Sequence, residues 1–562
     1  MAIWSSIVSR LKELIRSMIG SRTIQNELHV SYAISPKMET AIQEWTNLYL
    51  GKAEWLHDPD DNNSERIVSL GLPAMIASEK ARTALIEFES EITTPTEKVE
   101  VDNPNYPGEP KFTIDADGEQ VPLPTIMPAE KIVQEQPIGD TARAEFLESQ
   151  YKKLKKQLRK QIEYGIAKGG LVIKPYVITN QSTNSEGVNS EIVPTTELEF
   201  DFVQADAFYP LAFDASGKIT EAAFVQSKVE KNQIYRRLEY HKWENNTVTV
   251  VNKAYKSNNL RSNNDLDNVD LGEEIKLSEV PEWKDLKEKT TVTNVTKPLF
   301  AYFKMPEANT IDPTSPLGVS GFSRAVKLIR DADMQYSRLL WEYEAGEMAI
   351  DIDRDALRTD LDGVGNEHTT VNHLQNRLYR KLDLGSNSDT YYPYAPSLRD
   401  ANYINGLNTV LMRIEDVCGI SRGTLSDSAD VARTATELKI LKQRSYQTNA
   451  DIQASIEDAL RDVIYVMNVY ATLYEITPEG EYEVNFEWDD SIMVDINEEI
   501  NKRITLQQNG LTSKLETRMW YFGETEQQAR EALAKVDEEN QKAQESDMVM
   551  QYELNNRGGQ NA

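Results

Sequence analysis

A chain of 562 residues exceeds what one hydrophobic core of ordinary size organises, so several sub-domains are expected. Hydrophobic residues make up 40%, with 25 Tyr and 8 Trp, which excludes wholesale disorder. The formal net charge of −30, from 91 acidic against 61 basic residues, excludes a protein whose main work is gripping phosphates by counterion release; any nucleic-acid contact must be local or weak.

The N-terminal IWSSIVSRLKELIRSMIG sets Ile3, Trp4, Ile7, Leu11, Leu14, Ile15 and Ile19 near a 3.6-residue period, with Arg10, Lys12, Glu13 and Arg16 interspersed. This predicts an amphipathic helix that docks on its own or a neighbouring subunit, with membrane-surface binding as the alternative. Its charges exclude a signal-peptide core, and no apolar run approaches the ~18 residues of a membrane span. A second helix is predicted in SPKMETAIQEWTNLYLGKAEW, where Met38, Ile42, Trp45, Leu48 and Tyr49 keep helical spacing. Residues 91–140, broken into ITTPTEK, DNPNYPGEPK and VPLPTIMPAE, read as Pro-rich linker or exposed loop. From Thr141 a long helix is predicted, with Phe146, Tyr151, Leu154, Leu158, Ile162 and Ile166 as its stripe and Gly169-Gly170 as its stop. LVIKPYVI then reads as a buried strand.

Residues 191–256 predict a β meander with turns at DASGK and ENN, and 257–290 a long polar surface excursion. KPLFAYFKM returns as a strand before the Pro/Gly-rich joint DPTSPLGVSG. A helix follows over about 322–348, then a compact mixed insert over 350–395 ending in TYYPYAP, then a helix in SLRDANYINGLNTVLMRIEDVCGIS. Next comes RGTLSDSADVARTATELK, a Gly/Ser/Asp loop that turns abruptly into a helix. Thr434 and Glu437 have the spacing of a capping box, which places the helix start near Thr434. Its apolar positions continue to Met467, the stop falls near Pro478, and the first half is markedly more polar than the second. A strand pair, EYEVNFEWDD and SIMVDI, an acidic helical region over 497–544 and a disordered tail complete the chain.

Catalytic motifs are missing. No G-x-x-x-x-G-K-[ST] loop, G-x-S-x-G elbow or H-E-x-x-H pair occurs, and His29, His57, His241, His368 and His373 read as surface or packing residues. DIDRDALRTDLD mimics the start of a calcium loop, but Ala356 stands where glycine is needed and Asp362 where a bidentate glutamate is needed. We therefore assign no catalytic residue, no metal and no cofactor. Cys418, the single cysteine, reads as a small buried hydrophobe.

The stretches SPKMETAIQEWTNLYLG, PLGVSGFSRAVKLIRDADMQYSRLLWEYE and above all VCGISRGTLSDSADVARTATELKILKQRSYQTNADIQASIEDALRDVIYVM, in that order, resemble the portal (connector) proteins of tailed bacteriophages, of the type in phages and prophages of Gram-positive bacteria. The resemblance implies an α+β portal fold and a dodecameric ring at one capsid vertex, assembled in the host cytoplasm and carried in the virion, through which double-stranded DNA is packaged and ejected. It implies N-terminal helices and a Pro-rich segment at the wing periphery (1–140), a wing (141–315), stem helices (316–349 and 397–420) and a clip (350–396). A tunnel loop (421–433), a tunnel helix (434–476), wing return strands (477–496), a crown (497–545) and a tail (546–562) follow. Within the first of these regions, the resemblance assigns no role to the segments 1–19 and 91–140.

The same resemblance makes Ser421, Arg422, Gly423, Thr424, Ser426, Asp427, Ser428, Asp430 and Arg433 the residues facing DNA. Asp427 and Asp430 would offset Arg422 and Arg433, leaving a small, nearly neutral, mobile collar. Lys439, Lys442 and Arg444 on the tunnel helix are candidates for touching phosphates, or for salt bridges with solvent or a neighbouring subunit. In the clip, Asp351, Asp353, Arg354, Arg358, Tyr391, Tyr392 and Tyr394 are candidates for docking the terminase large subunit and then a head-completion or adaptor protein, or for local packing. The major capsid protein would meet the wing, and no membrane is involved. An unrelated scaffold or adaptor would also lack catalytic motifs, but would not need a polar loop between two long helices. A metal-dependent hydrolase finds still less support.

Overall fold

The computed structural model describes residues 27–28, 33–56, 67–86, 88–102, 112–114, 120–122, 131–183, 192–230, 233–257, 271–353, 360–361, 367–368, 379–382, 391–427, 435–488, 496–526, 528–536 and 538. They fall into two units, Met1–Trp488 and Asp489–Ala562. The helix predicted over residues 1–19 and the tail at 546–562 lie outside the described residues.

Helix α1 (Pro36–Tyr49) starts where its sequence dictates: Ser35 caps the Met38 N–H and Pro36 fills the first turn, where no N–H is missed. Of its predicted stripe, Met38, Ile42, Trp45 and Leu48 are buried and Tyr49 is partly buried. Helix α2 (Leu72–Ala84) follows. Strand β1 (Phe88–Thr93) opens a segment that departs from the predicted linker. Strands β2 (Thr96–Asp102) and β5 (Lys131–Pro137) pair antiparallel, and β3 (Phe112–Ile114) pairs with β4 (Gln120–Pro122) between them. The reason is positional. Pro122 and Pro137 end their strands, and Pro95 lies in the turn before β2, so none removes a ladder bond from a strand interior. Alternating stretches such as KVEVD and KIVQEQ then pair undisturbed.

Helix α3 (Ala142–Lys168), about 40 Å long at 1.5 Å per residue, buries Tyr151, Leu154, Leu158, Ile162 and Ile166 and stops at Gly169, as predicted. Gly169 has φ +88°, and an added Cβ would lie 2.7 Å from the Gly318 carbonyl oxygen. The Pro/Gly joint is thereby seated on the helix end; Gly321 N–H donates to Ile166 O at 2.9 Å.

Strand β6 (Gly170–Thr183) runs antiparallel to β7 (Ile192–Gln204). The meander continues as β8 (Phe208–Phe213), β9 (Ile219–Glu230), β10 (Gln233–Glu244) and β11 (Thr247–Ser257). The predicted turns are present: Asp214 N–H donates to Lys218 O, and Asn245 and Asn246 both take positive φ, as a two-residue hairpin turn requires. Strands β12 (Glu273–Ile275) and β13 (Lys289–Thr293) both pair with β11. This corrects the surface excursion expected over 257–290, because Leu271, Leu277, Val280 and Trp283 are buried against the sheet. Apolar residues spaced through a polar segment show no local period, and only the sheet edge gives them a partner. Strand β14 (Ala301–Lys304) completes the β14-β6-β7 sheet.

Helix α4 (Val326–Ala345) leads to the insert. Up to Tyr394 its described residues are strand: β15 (Ala349–Asp353), β16 (Asp360–Leu361), β17 (Glu367–His368), β18 (Tyr379–Leu382) and β19 (Tyr391–Tyr394). β15 lies between β18, which is parallel to it, and the antiparallel β19. Helix α5 (Asp400–Cys418) packs back along α4, and α6 (Ala435–Leu473) crosses beneath the sheets to touch α2, α3, β6 and β14. Ile452, Ile456, Leu460, Val463, Ile464 and Met467 put its second half in the main core, the division the sequence predicts. Strand β20 (Glu483–Trp488) pairs with the distant β1, while the predicted partner strand SIMVDI, 491–496, lies outside the described residues except for Ile496, which is helical. In the second unit, α7 (Ile496–Gln508) and α8 (Lys514–Phe522) form a helical pair; α8 has a Ser513/Glu516 capping box and no buried residue.

Candidate functional site

The loop that joins α5 to α6 is built from the end of α5. Gly419 takes φ +69° and closes the helix by donating to Glu415 O; Ile420 N–H donates to the same carbonyl at 3.0 Å. The Glu415 side chain is fully buried, and its carboxylate accepts Leu425 N–H (2.6 Å) and Ser426 N–H (2.9 Å) at one oxygen and Ser426 Oγ–H (2.7 Å) at the other. Asn408, two turns earlier, accepts Asp427 N–H at 2.7 Å. Arg422 forks onto Asp416 at 3.0 and 2.7 Å. Within the loop, Thr424 Oγ–H donates to Ser421 O, and Gly423 N–H to Ser426 Oγ.

Residues 421–427 are thus hydrogen-bonded back to α5, where a collar without such ties was expected, and Ser426 is buried rather than facing outward. Two physical facts explain the departure from expectation. Glu415 brings a charge into the core that must find donors, and main-chain N–H groups supply them. Arg422 finds its carboxylate on α5, not on Asp427. Ser428, Asp430, Arg433 and Thr434 lie outside the described residues.

Beyond the loop, α6 begins at Ala435, next to the predicted cap. Lys439 and Lys442 are in the first turns of this helix. Arg444 lies on the same helix, and the side chains of all three lie outside the described residues.

The insert hangs from a clasp between its two supporting helices. Arg399 gives Glu342 three hydrogen bonds, from the backbone N–H (3.0 Å), Nε (3.1 Å) and a terminal nitrogen (2.7 Å). Of the predicted docking residues, Asp351 and Asp353 are on β15, and Tyr391, Tyr392 and Tyr394 share β19. The register sets Tyr392 opposite Asp351 and Tyr394 opposite Ala349. Arg354 and Arg358 lie outside the described residues. Among the described residues no group of three or more His, Cys, Asp or Glu is placed to hold a metal ion. Cys418 is buried, and desolvation pushes its thiol up to about 12, where it is not a nucleophile.

The β-rich region holds a second charged cluster that the sequence reading missed. Glu239 on β10 accepts from Lys174 Nζ (2.8 Å) and Arg237 (2.9 Å) and bonds His241 Nε2 (2.6 Å). Burial alone would raise the Glu239 carboxyl, but Lys174, His241 and Arg237 together hold it well below the carboxylate range. Burial lowers His241 despite its bond to Glu239. Lys174 and Glu239 also line a cavity of about 570 Å³ with Lys168 and Asp206. Lys168 is held by Asp206 at 2.5 Å and Lys174 by Glu239, so these two buried lysines are paired with the cavity's own carboxylates, and we assign it no ligand. A lysine inside the apolar run LVIKPYVI is the signal by which the sequence could have given this cluster away.

No helix among the described residues is long and apolar enough to cross a membrane. The family model described as "Phage portal protein, SPP1 Gp6-like" matches residues 29–546 of the chain. No curated protein matches it.

Proposed function

This chain belongs to the SPP1 Gp6-like phage portal protein family, and from that premise we propose that its copies close into a dodecameric ring at one capsid vertex, the conduit for packaging and ejecting double-stranded DNA. The family is structural rather than enzymatic, and its members are virion components. In this reading α4 and α5 are the stem, the insert 350–396 is the clip that docks the terminase large subunit and later a head-completion protein, and the β-rich region meets the major capsid protein. The second unit is the crown. The observation that carries the reading is the family match over residues 29–546.

Local chemistry supports it. A conduit must surround a polyanion without holding it, because every phosphate contact adds a salt-dependent grip. The chain's net charge of −30 is multiplied around a ring, and Arg422, the arginine of the described loop residues, is spent on Asp416. Electron microscopy of the purified protein tests the whole reading. Rings with a central hole support it; a monomer with metal-dependent turnover overturns it. A Ser428→Lys/Asp430→Lys variant should still form rings but drag on DNA, with packaging slowed at low salt and restored as salt rises. Salt-independent packaging at the wild-type rate would remove this loop from the DNA path.

The stem pair leaves Trp341 (53%), Met348 (63%) and Ile404 (46%) exposed, which supports their burial against a neighbouring copy. Trp341→Asp/Ile404→Asp should raise the concentration needed for ring assembly by at least about tenfold, the equivalent of 1.4 kcal/mol, with the monomer's melting temperature unchanged. Analytical ultracentrifugation reads this, and an unshifted assembly curve places the interface elsewhere.

A further inference from the structure

We propose that Glu415 is the positioning residue of the tunnel loop: it makes Ser421–Asp427 a rigid extension of α5, so that this stretch moves only as α5 moves. The inference rests on the portal reading for the loop's role, but its physical content does not depend on it. Glu415 carries five hydrogen bonds: Leu425 N–H, Ser426 N–H and Ser426 Oγ–H on the carboxylate, and Gly419 and Ile420 N–H on its carbonyl. Asn408 and Asp416 add ties on either side, at Asp427 and Arg422. The base is held as well. A Cβ on Gly419 would lie 2.4 Å from Thr448 Oγ1 of α6, so the end of α5 is packed directly against a side chain of the next helix.

The energetics favour a stiff loop. A carboxylate with no exposure to water is tolerated only while its lone pairs are filled, and here loop donors fill them. Peeling residues 425–426 away would strand the charge, whereas moving α5 and the loop together keeps every bond. A DNA-facing segment built this way would adjust to the duplex by a shift of the helix, and the bond from Asp427 N–H to Asn408 marks where the tied stretch ends among the described residues.

Hydrogen exchange of the full-length protein tests this directly. In the wild type the Leu425 and Ser426 amides should be protected to the same degree as the last turn of α5. In Glu415→Ala their protection should fall at least about tenfold while the amides of Ile456–Ile464 in α6 keep theirs; Glu415→Gln, whose amide oxygen still accepts two N–H groups, should retain most of it. Should Glu415→Ala fail to fold, Ser426→Ala removes one donor and should give a smaller loss confined to 425–427. Wild-type amides at 425–426 exchanging at the rate of an open chain, or equal protection in wild type and variant, would overturn the proposal. Imaging the same samples separates the two readings: protected amides without rings refute the portal function and keep the tie, and rings with unprotected amides do the reverse.

Discussion

Replacing Glu239 by glutamine should destabilise the Met1–Trp488 unit by about 3–5 kcal/mol, because it leaves two cations without their buried counter-charge. Lys174 is 5% exposed, and its other carboxylate, Asp201, is more distant at 3.4 Å. Arg237 loses its 2.9 Å bond, and His241 loses the anion its Nε2 meets. The same cluster makes stability depend on pH, with a definite sign. His241 Nδ1 is buried without a hydrogen-bond partner, as suits a neutral imidazole whose proton is on Nε2 and donated to Glu239.

Because its folded pKa is depressed, the unfolded chain takes up a proton near the ordinary histidine value of about 6.5 while the folded chain does not. Stability is fully present above that pH and is lost as pH falls below it. Glu239 acts in the same direction further down: its contribution is present above the ordinary carboxylate pKa and is lost as pH falls toward its depressed folded value. The melting temperature should therefore drop between pH 7.5 and pH 5.5, and drop again below about pH 4.5. His241→Gln, which keeps an N–H for Glu239, should flatten the first fall and leave the second. An unchanged slope between pH 7.5 and pH 5.5 in that variant would show that another group is responsible.

Arg143→Met should cost about 3 kcal/mol even though it replaces a charge by an apolar chain of similar length. Arg143 is 1% exposed, and desolvation lowers its pKa. Its guanidinium donates to Pro478 O (2.9 Å), Thr477 O (2.9 Å), Asn468 O (3.1 Å), Asn468 Oδ1 (3.0 Å) and Thr472 Oγ1 (3.0 Å). These acceptors are the last turns of α6 and the bend after it, so the residue aims the chain into β20. The β1–β20 pair, with Phe88 stacked on Trp488 at 4.3 Å, depends on that aim. Methionine leaves the Thr477 and Pro478 carbonyls without a donor. Lysine should rescue little, since a single ammonium cannot reach acceptors spread around a planar fork. Urea denaturation monitored by tryptophan fluorescence reads the change; a loss under about 1 kcal/mol, or full rescue by Arg143→Lys, would contradict the bridging role.

Much of the helical framework was legible before any coordinates. The stripe from Tyr151 to Ile166, its stop at Gly169, the turns at DASGK and ENN, and the change from polar to apolar halfway along α6 are all local patterns, readable because helix and strand periods recur within a few residues. The portal resemblance, carried by three stretches in order, agrees with the family match over 29–546. Glu415, Arg143 and Lys174 escaped for one common reason. Each is a charged residue inside an apolar pattern: Arg143 is one turn before Leu147, Glu415 one turn after Leu411, and Lys174 follows Leu171, Val172 and Ile173. Such a position signals a buried charge, but not what satisfies it.

By itself, then, the sequence determined the helices, the meander, the absence of the catalytic motifs sought and an acidic character unsuited to gripping DNA, because those properties are sums or short periods of neighbouring residues. The tertiary structure decided that Thr96–Asp102 and Lys131–Pro137 are paired strands, that Trp283 belongs to a core, that β20 joins β1, and that the loop after α5 is tied along residues 421–427. Each of these turns on donors, acceptors or apolar faces brought together by the fold. A buried carboxylate is satisfied by whichever groups the packing brings within reach, and at Glu415 they came from the loop itself.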